Sequence, residues 1–155
     1  MNITHLQQQF DQDIGSAEQL LELINHEFEA LSEHDLPRLQ QILTDKLPLL
    51  ALLEQNGKRR TRLLLDNNFS ADHQGLQAAA AQAENGRALI DASEKLNELL
   101  EQCKTANLRN GRVIRSNQKS TESMLGILRG NETPSLYDST GGTAKIGNKR
   151  PLSQA

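Results

Sequence analysis

The side chains able to do chemistry in this chain are few and scattered. Four histidines stand at His5, His26, His34 and His73, and the single cysteine is Cys103. A zinc site or a metalloprotease helix needs ligands one turn apart, as in H-x-x-x-H or H-E-x-x-H. No histidine here has such a neighbour, and His26-Glu27 is not followed by a second histidine four places on. Neither a metal nor a cofactor is therefore expected. The sequence also lacks a nucleophile elbow, a P-loop and a dinucleotide-binding glycine pattern. Carboxylates such as Glu98 and Glu101 lie one turn apart, where a solvated helix face explains them better than an acid–base dyad. These patterns argue against an enzyme. The alternative reading is a helical-bundle signalling protein of the histidine phosphotransfer kind. It needs an exposed histidine with small and cationic neighbours, but Glu27 and Phe28 follow His26, and neither His5 nor His73 precedes a Lys-Gly pair.

Charge and amide groups say more. The net charge is −3, which gives no general case for nucleic acid. Its distribution is uneven: no Lys or Arg precedes Arg38, whereas Lys104, Arg109, Arg112, Arg115, Lys119 and Arg129 form a basic late segment. An acidic first helix and a basic last one are expected to lie side by side. The dense run Lys58-Arg59-Arg60-Thr61-Arg62 has no aromatic beside it and reads as a solvated stretch pairing with acids of the first helix, not as a phosphate site. In the late segment, expected core positions are polar: Asn107, Asn110, Asn117, Gln118 and Thr121. A buried amide left without a partner costs about 1–3 kcal/mol. Five such residues together favour an open groove over a dry interior. Ile114, Met124, Leu125 and Leu128 would give that groove its apolar contacts.

The elements that must position these residues are helices. Aromatics make up 3% of the 155 residues, Trp is absent and Val113 is the only valine, so a sheet is poorly served. Ile3, Phe10, Ile14, Ala17, Leu21, Ile24, Phe28 and Leu31 predict a first helix of about 30 residues, roughly 45 Å long. Asp35 is placed to cap a second helix with Pro37 in its first turn. That helix runs from about Leu36 to Asp66 with a face of Leu36, Leu39, Leu43, Leu47, Leu50, Leu53 and Leu64, kinked at Pro48. Ser70 is a candidate cap for the next helix. From Gly75 to Arg129 no proline intervenes, so either one helix runs through or it breaks near Gly86, ending at Gly130-Asn131. The expected fold is all-α: an elongated antiparallel three-helix bundle, or coiled-coil-like hairpin, with long helices. Residues 1–130 form the helical domain and 131–155 a flexible, disordered C-terminal tail. Cys103 falls on the apolar stripe as a buried structural thiol. No secretory signal and no apolar run of membrane-spanning length occurs, so a cytoplasmic location without membrane insertion is expected.

An aromatic-poor helical chain with the amide-rich stretch Arg109 to Gln118, then Met-Leu-Gly-Ile-Leu-Arg at 124–129 and Leu-Tyr-Asp-Ser-Thr-Gly-Gly at 136–142, resembles the FlgN-type flagellar export chaperones. The resemblance implies a cytoplasmic chaperone of type III export during flagellum assembly. Its clients would be the hook-filament junction proteins FlgK and FlgL, held by their C-terminal amphipathic helices and delivered to the flagellar export gate. It implies no nucleic acid among the partners. The client-binding surface would be Asn107, Ile114, Asn117, Gln118, Thr121, Met124, Leu125 and Leu128, and Tyr137 would touch the export gate. Self-association of the free protein is left open.

Overall fold

In the computed structural model residues 2–129 are described, and all their regular structure is helical. Four helices occur in order: α1 (Ile3–Glu33), α2 (Leu36–Asp66), α3 (His73–Ala81) and α4 (Gly86–Leu128). The sequence expectation of three long helices holds, with α3 as a short addition and the break before Gly86. The chain divides into two compact units, Met1–Val113 and Ile114–Ala155, with α4 contributing to both. Gly130, Asn131 and the tail, including Tyr137, lie outside the described residues.

Each helix starts and stops for local reasons. The Asn2 side chain accepts from the His5 amide to cap α1. His34 closes α1 in the left-handed region (φ 56°), where its amide reaches the Leu31 carbonyl at 3.3 Å. Asp35 then caps α2 by accepting from the Arg38 amide at 3.1 Å. α3 is capped by Asp72, which accepts from Gly75 at 2.8 Å; Ser70 does not cap the helix but donates to Asp72 at 2.5 Å. That hydroxyl, and next the Gly75 amide, hold the Asp72 carboxyl below the ordinary aspartate range. The stabilisation is present above the unfolded pKa and fades as pH falls through the depressed folded one.

Polar contacts define how the first unit is threaded. Arg60 pairs with Asp13 and Lys46 pairs with Glu27, so rising numbers on α2 meet falling numbers on α1. The two helices are antiparallel. Cys103 lies 3.7 Å from the Ala17 carbonyl and Asn110 donates to the Ile24 carbonyl at 2.8 Å, so α4 runs parallel to α1. The apolar interior is aliphatic, as the composition requires. Leu6, Phe10, Ala17 and Leu64 meet α3 and α4 through Leu76, Leu89, Leu96 and Leu99, while Leu20 and Ile24 meet Cys103 and Ala106.

The buried seams are not the ones that apolar spacing picks out. On α1 the seam is Leu6, Phe10, Asp13, Ala17, Leu20, Ile24, Glu27 and Leu31, with two acids in it. Phe10, Ala17, Ile24 and Leu31 belong to both readings; Ile14, Leu21 and Phe28 are half-buried at its edge. On α2 the correction is larger. Ile42, Asn56 and Leu64 are buried, whereas Leu36, Leu43, Leu47 and Leu50 are 71, 53, 66 and 44% exposed. The physical reason is that polar groups hold the α2 seam. Asn56 and Arg60 satisfy Asp13 and Lys46 satisfies Glu27, beside Ile42, Leu64 and the half-buried Leu39, Leu49, Leu53 and Leu63, so a second row of leucines is left outside.

Candidate functional site

α4 changes character along its length. Its buried positions are Leu89, Ala92, Ser93, Leu96, Leu99, Cys103, Ala106 and Asn110, and none comes after Asn110. The helical period carries the same face on through Ile114, Asn117, Thr121, Leu125 and Leu128. In the second unit these residues keep the spacing of a core stripe but are not buried: Ile114, Leu125 and Leu128 are exposed and Asn117 is half-buried. The stripe from Ile114 to Leu128 is about 21 Å long, four turns of helix.

Several predicted site residues therefore fall together. Ile114, Asn117, Thr121, Leu125 and Leu128 share one helical face of the second unit, with Gln118 exposed beside them. The Thr121 hydroxyl donates to the Asn117 carbonyl at 2.9 Å, which leaves its methyl as the presented group. Met124 is exposed on the flank. Asn107 is exposed but belongs to the first unit. Sequence reasoning missed Ile127, which is 76% exposed and lines a shallow groove of about 480 Å³ with Ser120, Ser123 and Met124. The signal was present as the unbroken Met-Leu-Gly-Ile-Leu run; a search confined to one stripe overlooked a helix end apolar on more than one side.

Asn110 departs from the open-groove expectation, and the reason is local. It is buried in the first unit, donating to the Ile24 carbonyl at 2.8 Å and to Glu27 Oε1 at 2.7 Å. Glu27 in turn accepts from Lys46 Nζ at 3.2 Å. One amide, one carboxylate and one ammonium thus tie α4, α1 and α2 together within the first unit. Arg109 stacks over the Phe28 ring, 4.2 Å from its centroid, and donates to Asn25 Oδ1 at 3.1 Å. The first and last helices thus lie side by side in the first unit, as their charge suggested, but not through ion pairs. The acids of α1 find their ion-pair partners on α2, as Glu29 and Glu33 with Arg38, Glu27 with Lys46, and Asp13 with Arg60. α4 meets α1 through Arg109 and Asn110 instead. Arg112, Arg115 and Lys119 are exposed and make no ion pair among the described residues. Arg115 and Lys119, in the second unit, flank the candidate surface with positive charge.

Cys103 is buried, and burial pushes its thiol up against a smaller opposing pull from the Lys46 charge. Its modification by a disulfide reagent at pH 8 should run at least about 100-fold slower than that of free cysteine. It should accelerate with urea in step with loss of helical circular dichroism; fast labelling of the folded protein would show the packing to be looser than described. All four histidines are exposed. No group of three or more His, Cys, Asp or Glu side chains is placed to hold a metal ion among the described residues. No described helix is long and apolar enough to cross a membrane.

Comparison with known proteins matches this architecture to one family. The chain is similar to the solved structure of a flagella synthesis protein FlgN from Pseudomonas aeruginosa, at 45% identity and a TM-score of 0.69. The match covers 83% of this chain and 98% of that one. No curated protein matches. The profile of the FlgN protein family matches residues 1–145, nearly the whole chain, and the protein belongs to the FlgN family.

Proposed function

We propose that this protein is a cytoplasmic, non-enzymatic export chaperone of flagellum assembly, holding client helices on the second unit of α4. The observation that carries this reading is the face from Ile114 to Leu128, which keeps core spacing without burial. A helix whose stripe is unfinished can be completed by an amphipathic helix from another protein. Ile114, Leu125 and Leu128 supply apolar contact, and Met124 adapts to more than one client sequence. Asn117, Gln118 and Thr121 supply polar contacts at the rim, and Asn107, exposed on α4 within the first unit, is a further one. Arg112, Arg115 and Lys119 favour clients with acidic flanks. Membership of the FlgN family supports hook-filament junction proteins of the FlgK and FlgL type as the clients and the flagellar type III export gate as the destination.

The test uses the C-terminal helix of a FlgK-type protein, titrated calorimetrically into the full chain. Replacing Asn117 and Gln118 by Ala and Leu125 by Asp together should weaken binding by on the order of 100-fold. The helical circular dichroism should stay nearly unchanged, because none of the three is buried. Unchanged affinity would move the client site elsewhere. In the segment 131–155, outside the described residues, we propose Tyr137 as a contact with the export gate. Tyr137→Ala should lower client secretion while leaving client affinity intact.

A further inference from the structure

The leucine face that α2 leaves outside the bundle has a length, a charge pattern and a cavity that fit one occupant. We infer that two copies of this chain pair through α2, antiparallel, about a two-fold axis passing beside Leu47.

From Leu36 to Leu50 the stripe carries no charged side chain; beyond it Glu54, paired with Lys58, precedes Gly57. Leu36, Leu43, Leu47 and Leu50 recur at spacings of seven, four and three, a seam of coiled-coil period. Gln40, Thr44 and Ala51 border it on the outer side, all exposed and none charged. Scattered exposed leucines are ordinary on a protein surface, but four in register along one helix are a patch.

Self-complementarity selects a second copy as the occupant. A two-fold contact must be matched by itself when the helix is reversed. The register that sets Leu43 against Leu50 of the second copy also sets Leu36 against Gly57. Around Gly57 an added Cβ would meet only Arg60 Nη2, at 4.0 Å, so there is room for a side chain. That position lines a groove of about 630 Å³ with Leu53, Thr61 and Leu65, rimmed by the charged Glu54, Lys58, Arg62 and Asp66. The stripe thus carries both a knob, Leu36, and the hole that receives it. Charge obeys the same register. One end holds Glu33 and Asp35 beside Arg38, which Glu29 and Glu33 engage. The opposite end holds Lys58, Arg59 and Arg62 beside Glu54, which engages Lys58. The first end keeps an acidic excess and the second a basic one. Reversal places Asp35 of one copy beside Lys58 of the other, whereas a parallel pair would set like ends together. The interface uses residues of the first unit alone, whereas the face proposed for clients belongs to the second, so the two are tested by different variants.

The test is sedimentation equilibrium of the full chain over about 1–200 µM, paired with a crosslink. The wild-type protein should show a monomer–dimer equilibrium. The variant Leu43→Asp with Leu47→Asp should raise the dissociation constant by on the order of 100-fold or more, with helical content retained because both side chains are exposed. In a Cys103→Ala background, Leu47→Cys should form an intermolecular disulfide in air, whereas Leu52→Cys, on the other side of α2, should not. A wild-type chain that stays monomeric across this range overturns the inference. So does a dimer that survives both aspartates, which would place the second copy on another face. Equal crosslinking at Leu47→Cys and Leu52→Cys would overturn the register.

Discussion

Asp13→Ala should destabilise the protein by about 3–5 kcal/mol, the range for removing one partner of a buried ion pair. Asp13 is fully buried on α1 and accepts from Asn56 Nδ2 at 2.7 Å and from Arg60. Arg60 also lies over the Phe10 ring, 4.5 Å from its centroid. Truncation leaves the buried Asn56 amide and the partly buried Arg60 guanidinium without their acceptor. The measurement is urea unfolding followed by circular dichroism at 222 nm, comparing midpoints at fixed slope. Replacing the cluster together, as Asp13→Leu, Asn56→Leu and Arg60→Met, should recover much of the loss, because no charge is then left buried. If Asp13→Ala costs less than about 1 kcal/mol, the cluster is hydrated and does not hold the seam.

Gly86→Ala should destabilise by about 3 kcal/mol, although helix propensity alone predicts a gain of about 1 kcal/mol. Gly86 opens α4, and a Cβ there would sit 1.9 Å from the Ala80 carbonyl oxygen and 2.6 Å from its carbon. Those atoms are backbone and cannot rotate away. The α3–α4 turn is held tightly by bonds from Gln82 to Ala79, Ala83 to Ala80 and Gly86 to Ala83. Adding one methyl group means prying the turn open and pulling Leu89 away from its packing with Leu76 and Ala80. Thermal unfolding of the variant beside Gly126→Ala separates the two effects. Gly126 has nothing within 4 Å of its added Cβ, so alanine there should leave stability unchanged or slightly raised. A neutral Gly86→Ala would show the α3–α4 turn to be loose.

Helix positions and breaks were legible because they rest on local chemistry. Asp35-Leu36-Pro37 writes the start of α2, and the glycine at 86 marks a break that the structure realises. The change along α4 was legible as well, since Asn117 and Thr121 stand at core spacing where the helix ceases to be buried. Asn110 shows where that reasoning stops. From sequence it is one more amide of the stripe, yet Glu27 and the Ile24 carbonyl, more than eighty residues away, make it part of the interior.

What the amino-acid sequence determined by itself is that the chain is helical, aliphatic in its core and unfinished along its last helix. Propensity, capping and period act over a few residues and can be read in a line. Which face of α2 turns inward was decided only by tertiary structure. Leucines stand on both sides of it, and Asn56, Arg60 and Lys46 have partners on α1 that complete their hydrogen bonds and charge. A buried polar group is tolerable only when its partner is in place, and that partner is fixed by the packing of two helices, not by either sequence pattern alone.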